Sequence, residues 1–315
     1  MMNSFSTNES GVGCGEKING KAQIKSKYIL QIIFDNLSKK KALQIMKYCK
    51  GMQKKLDINE KDYKNYLDIY SSIEIEVIPR KNNYGSFINL KEGESYFHIF
   101  FDDNKKEIKR NFLRREETVS KIKIIIDYKV NSFDKLFYYC EANESITFTK
   151  FYRNNINNMS HMFDGCSSLK IIDLSNFNTC KVIDMSYMFC LCSSLKEINF
   201  FNFDIKRVNN MKYMIYKCSS LKEINLSIYG NNNVINTNHM FSKCKSLIRM
   251  NLSNFNTYKI INMSHMFSEC CSLKEIIISN FNKDGKMDHL FHKCSDILKE
   301  EMKNKYKNMK KEAFY

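Results

Sequence analysis

A cysteine returns every 26 residues through the second half of this chain. Cys166, Cys192, Cys218, Cys244 and Cys270 keep that interval, Cys140 precedes them by the same step, and Cys294 follows at 24 in a shortened last copy. The surroundings recur with the cysteine: MSHMFDGCSSLKIIDLSNFNTCKVID from Met159 returns as MSYMFCLCSSLKEINFFNFDIKRVNN, and three further copies follow. A unit of this length buries too little apolar surface to stand alone. Seven such units must therefore stack, and the end units must differ because each has a single neighbour.

Within one unit, Leu169, Ile172 and Leu174 give an L-x-x-I-x-L pattern whose alternation directs Ile172 and Leu174 to one face of a short strand. Phe177 and Val182 follow as inward anchors. Met162, Phe163 and Cys166 have the three-to-four spacing of one helical turn. These residues resemble the BspA-like leucine-rich repeats, whose consensus runs close to N-M-S-x-M-F-x-x-C-S-S-L-x-x-L-x-L-S-N-F-N-T, over residues 131–298. The departures are Ile215 for phenylalanine and IYGNNN at 228–233 in place of N-F-N-T. The resemblance implies an α/β solenoid: a right-handed superhelix with short parallel strands on its concave side, one-turn helices on the other, and a small α+β region before it. It also implies a habit of binding other proteins.

Columns of equivalent residues supply the candidate sites. The cysteine column reads as packing, because metal or redox use would not need seven copies without histidine partners. His161, Tyr187, Tyr213, His239, His265 and His289 form a second column, whose interchange of histidine with tyrosine suits stacked rings. Asp288, His289, His292 and Cys294 crowd one turn and make the sharpest metal candidate, but their spacing fixes no ligand geometry, so no metal or cofactor is expected. On the outward strand face, the asparagine column can be explained by stacked amides bonding one another. Phe201 and Arg249 break their columns, and aromatics and arginine anchor protein interfaces. The partner-binding candidates are Glu197, Asn199, Phe201, Glu223, Asn225, Arg249, Asn251 and Glu275.

Ahead of the repeats, residues 1–24 read as a disordered tail and 25–66 as a helical hairpin broken near Ser38. Ile29, Leu30, Ile33, Phe34, Leu37, Cys49 and Lys50 resemble an F-box, which implies a Skp-type linker and a cullin as partners. The leucine-proline start and the tryptophan of that motif are absent, and any amphipathic hairpin shares the rest. Residues 67–130 read as a strand-rich cap: IEIEVIP at 73–79, YFHIFFDD at 96–103 and KIKIIID at 121–127 have strand character, the last leading into the repeats. Residues 299–315 read as a lysine-rich helical cap at the far end.

The net charge of +16 divides into roughly +8 through residue 130, +5 across 131–298 and +3 beyond. It forms no stripe, which argues against nucleic acid. No run of eighteen apolar residues occurs and the first 24 residues hold no apolar stretch, so no membrane and a cytoplasmic location are expected. Twelve cysteines in a chain of this kind read as reduced thiols. Asn158, Asn225, Asn251 and Asn262 begin Asn-x-Ser triplets inside the repeats, where glycans would obstruct folding. Surface and adhesion roles, common among BspA-like proteins, conflict with that location. No phosphate loop, G-x-S-x-G, H-E-x-x-H or kinase signature is present, so no enzyme is expected. The expected function is a protein-binding scaffold, with a substrate-recruiting subunit of a cullin-type ubiquitin ligase as the alternative.

Overall fold

The structure, a computed structural model of the 315-residue chain, describes residues 37, 50–56, 71–82, 84–90, 96–127, 130–227, 233–279, 281–282 and 284–315. The chain divides into two compact units, Met1–Leu67 and Asp68–Tyr315. In the first, the described elements comprise helix α1 (Lys50–Leu56). Apart from residue 37, the rest of the F-box-like hairpin and the tail before it lie outside the described residues.

The second unit is mostly sheet. Strand β1 (Ile73–Pro79) buries alternate residues, Ile73, Ile75, Val77 and Pro79. It runs antiparallel to β5 (Ile122–Ile126), which itself pairs antiparallel with β3 (Phe97–Phe101). The register places Ile75 beside Ile124 and Ile124 beside Ile99, so the inward face is a continuous aliphatic layer. Each such side chain contributes about 1.5–3 kcal/mol relative to exposure. On the outer face Lys123 and Lys150 lie 2.9 and 3.4 Å from Glu74, and the Lys123 bond, foremost among several, holds the Glu74 carboxyl below its usual range. A two-residue ribbon, β2 (Gly85–Ser86) with β4 (Phe112–Leu113), completes this cap.

The cap meets the repeats at β6 (Asn143–Lys150), which is antiparallel to β1 on one side and parallel to β7 (Ile171–Asp173) on the other. The sheet order is β3–β5–β1–β6–β7, so β1 stands next to the first repeat strand and the 121–127 segment does not. This corrects the sequence reading of KIKIIID as the strand that leads into the repeats. Arg153 fastens the junction. Its fully buried guanidinium donates to the Ser71 carbonyl before β1 at 2.7 Å and to the Ile126 carbonyl closing β5 at 3.4 Å.

Beyond β7, strands β8 (Glu223–Asn225), β9 (Arg249–Leu252) and β10 (Glu275–Ile278) form a parallel sheet in the 26-residue register, Glu223 beside Arg249 beside Glu275. The unit between β7 and β8 forms no strand, so the strand face is interrupted there. At that unit the inward position holds the bulky Phe200, packed edge-on against Phe189 and Phe203, where its neighbours hold Leu174, Leu226 and Leu252.

Pairing on the other side of each unit is unbroken. Parallel bridges run Ser132–Asn158–Asp184–Asn210–Asn236–Asn262–Lys286 through all seven units. The one-turn helix expected at Met162, Phe163 and Cys166 is not formed. Instead the N–H groups of His161, Phe163 and Gly165 donate to Ser186, Met188 and Cys190 of the next unit, each at 2.9 Å. Those of Met162, Asp164 and Cys166 close turns onto Met159, His161 and Phe163. The helix-like spacing of apolar residues is real, but alternate backbone donors leave the unit to bind its neighbour, which an α-helix forbids. We call this segment and its equivalents the rungs.

After the last unit, helix α2 (Asp296–Lys305) is capped by the Ser295 side chain and buries Leu298 and Met302. Its start at Asp296 falls three residues before the cap boundary drawn from sequence. One buried core runs from Ile73 to Phe314. No helix among the described residues is long and apolar enough to cross a membrane.

Candidate functional site

The strand face gathers all eight candidate residues into one groove of about 640 Å³. Alternation sends Ile224, Met250 and Ile276 inward and leaves Glu223, Asn225, Arg249, Asn251 and Glu275 outward. Glu197, Asn199 and Phe201 come from the unit that makes no strand and still line the groove. Phe201 is 75% exposed, and Ile171 and Ile277, at 63% and 43%, add apolar surface at either end that the sequence reading left out of the site. Arg249 Nε lies 3.5 Å from Glu275 Oε2. Glu197 and Glu223 have no ion-pair partner among the described residues.

The asparagine column has a different cause from the one expected. Its side chains do not bond one another: Oδ1 of Asp173, Asn199, Asn225 and Asn251 each accepts the N–H two residues on, at 2.9 to 3.0 Å. These are Asx turns that bend the chain out of the strand. A second column does the same before each rung, with Asn158, Asp184 and Asn262 accepting from Ser160, Ser186 and Ser264. A third turns the loop, where Asn178 and Asn256 accept from Cys180 and Tyr258. The Asn-x-Ser triplets are thus corners of the coil.

The ring column stacks without a gap. Centroids from His161 through Tyr187, Tyr213, His239 and His265 to His289 are separated by 4.4, 4.7, 4.5, 4.3 and 4.8 Å, with interplanar angles of 27° or less. Every one of these residues has a left-handed backbone, with φ between 53° and 57°. A second left-handed column follows four residues later, at Gly165, Leu191, Lys217, Lys243, Glu269 and Lys293. Sequence reasoning missed both, because histidine, tyrosine and lysine do not announce positive φ as glycine does. His239 sits between Tyr213 and His265 with Nδ1 buried and unpartnered, and burial, aided by the charges of His265 and Lys243, pulls its pKa down to about 4.

The cysteine column packs as expected and does something more. The thiols of Cys166, Cys192, Cys218, Cys244, Cys270 and Cys294 each reach a carbonyl of the preceding unit at 3.0 to 3.1 Å. Burial pushes all of them up, Cys294 to about 12, so they are poor nucleophiles. The four residues of the sharpest metal candidate do not converge. Cys294 points inward to the Phe267 carbonyl, His289 Nδ1 faces the Tyr315 carbonyl, and Asp288 accepts from Ser264. Among the described residues no group of three or more histidines, cysteines or carboxylates could hold a metal.

Comparison with known proteins adds a family. The family model described as "Mycoplasma protein of unknown function, DUF285" matches residues 131–249 and 197–308. No curated protein matches the chain. Among solved structures, a leucine rich cell surface protein from Faecalibacterium prausnitzii A2-165 is similar at 19% identity over 52% of this chain, with a TM-score of 0.28. The chain spans 45% of that protein, and a superposition of this quality carries no structural argument.

Proposed function

Because the chain belongs to the family described as Mycoplasma protein of unknown function, DUF285, whose match spans residues 131 to 308, we propose that it is a leucine-rich-repeat solenoid acting as a non-catalytic scaffold. Its strand face is the concave side of the solenoid and binds a protein partner. One observation carries this reading: eight residues chosen for their columns line a single groove, with Phe201 75% exposed at its margin. An unburied aromatic and an arginine lining one groove are the composition of an interface anchor, not of a catalytic pocket.

The proposed location is cytoplasmic. Supporting this, every described cysteine is free. The Asn158 and Asn262 side chains are part-buried at corners of the coil, where a glycan would be crowded.

The test is affinity purification with mass spectrometry of the tagged chain beside a Phe201→Ala, Arg249→Glu variant. Both residues are exposed, so folding should survive, and circular dichroism checks it. A partner retained by the normal chain and lost by the variant supports the reading. An identical set of partners sinks it, and a Skp-type linker and cullin in both sets would move the site to residues 25–60.

A further inference from the structure

The charge of the groove is opposite to that of the chain. Lysine and arginine number 50 against 34 acidic residues overall, yet the groove is lined by Glu197, Glu223 and Glu275 with Arg249 as its only cation. Arg249 is already engaged by Glu275 at 3.5 Å. Lys196, Lys222 and Lys274, each preceding one of the glutamates, are exposed at the corner of the coil and do not line the groove. Glu197 and Glu223 therefore stand in adjacent units, one 26-residue step apart in a single outward column, and neither makes an ion pair among the described residues, Arg249 beside Glu223 being turned to Glu275. A chain rich in lysine that leaves this pair unneutralised presents a site for a cation brought from outside.

The apolar part of the site lines the same groove as that pair. Phe201 follows Glu197 by four residues, just past the Asx turn in which Asn199 Oδ1 accepts its N–H, and lines the same groove. At 75% exposure its ring is available to another molecule.

We infer that the groove takes a protein segment that carries both a lysine or arginine and an apolar side chain. The cation seats between Glu197 and Glu223, and the apolar side chain lies on Phe201. This rests on the scaffold reading above, whose binding face it shares.

The experiment selects peptides from a randomised twelve-residue display library on the immobilised full chain. Enriched peptides are then titrated by fluorescence anisotropy against the normal chain, Phe201→Ala, and the Glu197→Gln, Glu223→Gln double variant. The expected result is enrichment of peptides that carry both a lysine or arginine and an apolar residue. Affinity should fall at least tenfold in either variant and fall with added salt for the normal chain. Neutral or acidic peptides that bind and are lost in Phe201→Ala would overturn the cationic specificity while leaving the scaffold reading intact. Peptides indifferent to all three substitutions, or no enrichment at all, would overturn both. The glutamine variants keep size and polarity, so loss of binding is not loss of fold, and circular dichroism of each variant verifies this.

Discussion

At the scale of single residues, the rungs depend on backbone that most side chains avoid. Left-handed φ costs a non-glycine residue about 1 kcal/mol or more, and the structure carries it twice per unit. The reversal lets alternate N–H groups face the next unit, so the strain is offset by bonds such as His161 to Ser186 at 2.9 Å. Two substitutions in one column then have opposite signs. Lys293, at φ 55°, is exposed and makes no ion pair, so Lys293→Gly should stabilise by about 0.5–1 kcal/mol. Gly165→Ala should destabilise, because a Cβ there would lie 2.7 Å from the Tyr139 ring, in addition to the strain at φ 79°. Thermal melts of the two variants beside the normal chain decide it; equal shifts would mean that the column is not strained. The inward residues at this scale were plain in the sequence, since burial follows the period. The backbone angle was not, because only Gly165 among the six residues of that column carries the usual mark.

At the scale of elements, the rung is a stack of rings as well as a ladder of amides, and this makes it sensitive to acid. His239 faces Tyr213 and His265 in the stack, with Tyr216 and Lys243 beside it. Folding lowers its pKa from 6.5 to about 4, so between those values the unfolded chain binds the extra proton. Its stabilisation is complete above pH 6.5 and is lost as pH falls toward 4; His265, also lowered mainly by burial, acts in the same direction. His239→Tyr keeps a ring where Tyr187 and Tyr213 already fit and removes the titration. Urea midpoints at pH 7.5 and 4.5 should therefore differ less in that variant than in the normal chain. An equal drop would place the acid lability elsewhere. The ring stack was legible because histidine and tyrosine exchange in phase. The rung's hydrogen bonding was not, since Met162, Phe163 and Cys166 carry the same spacing whether the donors close a helix or cross to a neighbour. The break at Glu197–Phe201 was equally hidden, because a phenylalanine for leucine is invisible to a hydrophobic pattern.

At the scale of the whole repeat array, a stack of identical surfaces needs its two ends closed, or each end is a template for another copy. At the leading end, Asn89 closes the first rung: its N–H donates to the Leu136 carbonyl at 2.8 Å and its side-chain amide to the Lys135 carbonyl at 2.9 Å. At the far end the closure comes from residues 311–315. An internal rung donates four N–H groups to its successor, from Met263, His265, Phe267 and Glu269; the last rung gives two, His289 to Glu312 and Phe291 to Ala313. Phe314 lies on Phe291 at 5.6 Å and extends the phenylalanine stack, and Lys303 covers its ring at 5.3 Å. The segment thus imitates half a repeat, which sequence could not show because KEAFY shares none of the repeat's spacing. Removing residues 311–315 should uncover Phe291 and two donors and destabilise the last unit by about 3 kcal/mol, the burial of one large aromatic side chain. Because units are coupled mainly to their neighbours, hydrogen exchange should quicken in the final rung and leave the cap sheet at β1 and β5 protected. Sedimentation of the truncated chain should show association that grows with concentration. A truncated chain that stays at the mass of the normal one, with unchanged exchange in the last rung, would show that 311–315 only rests on the end and does not close it.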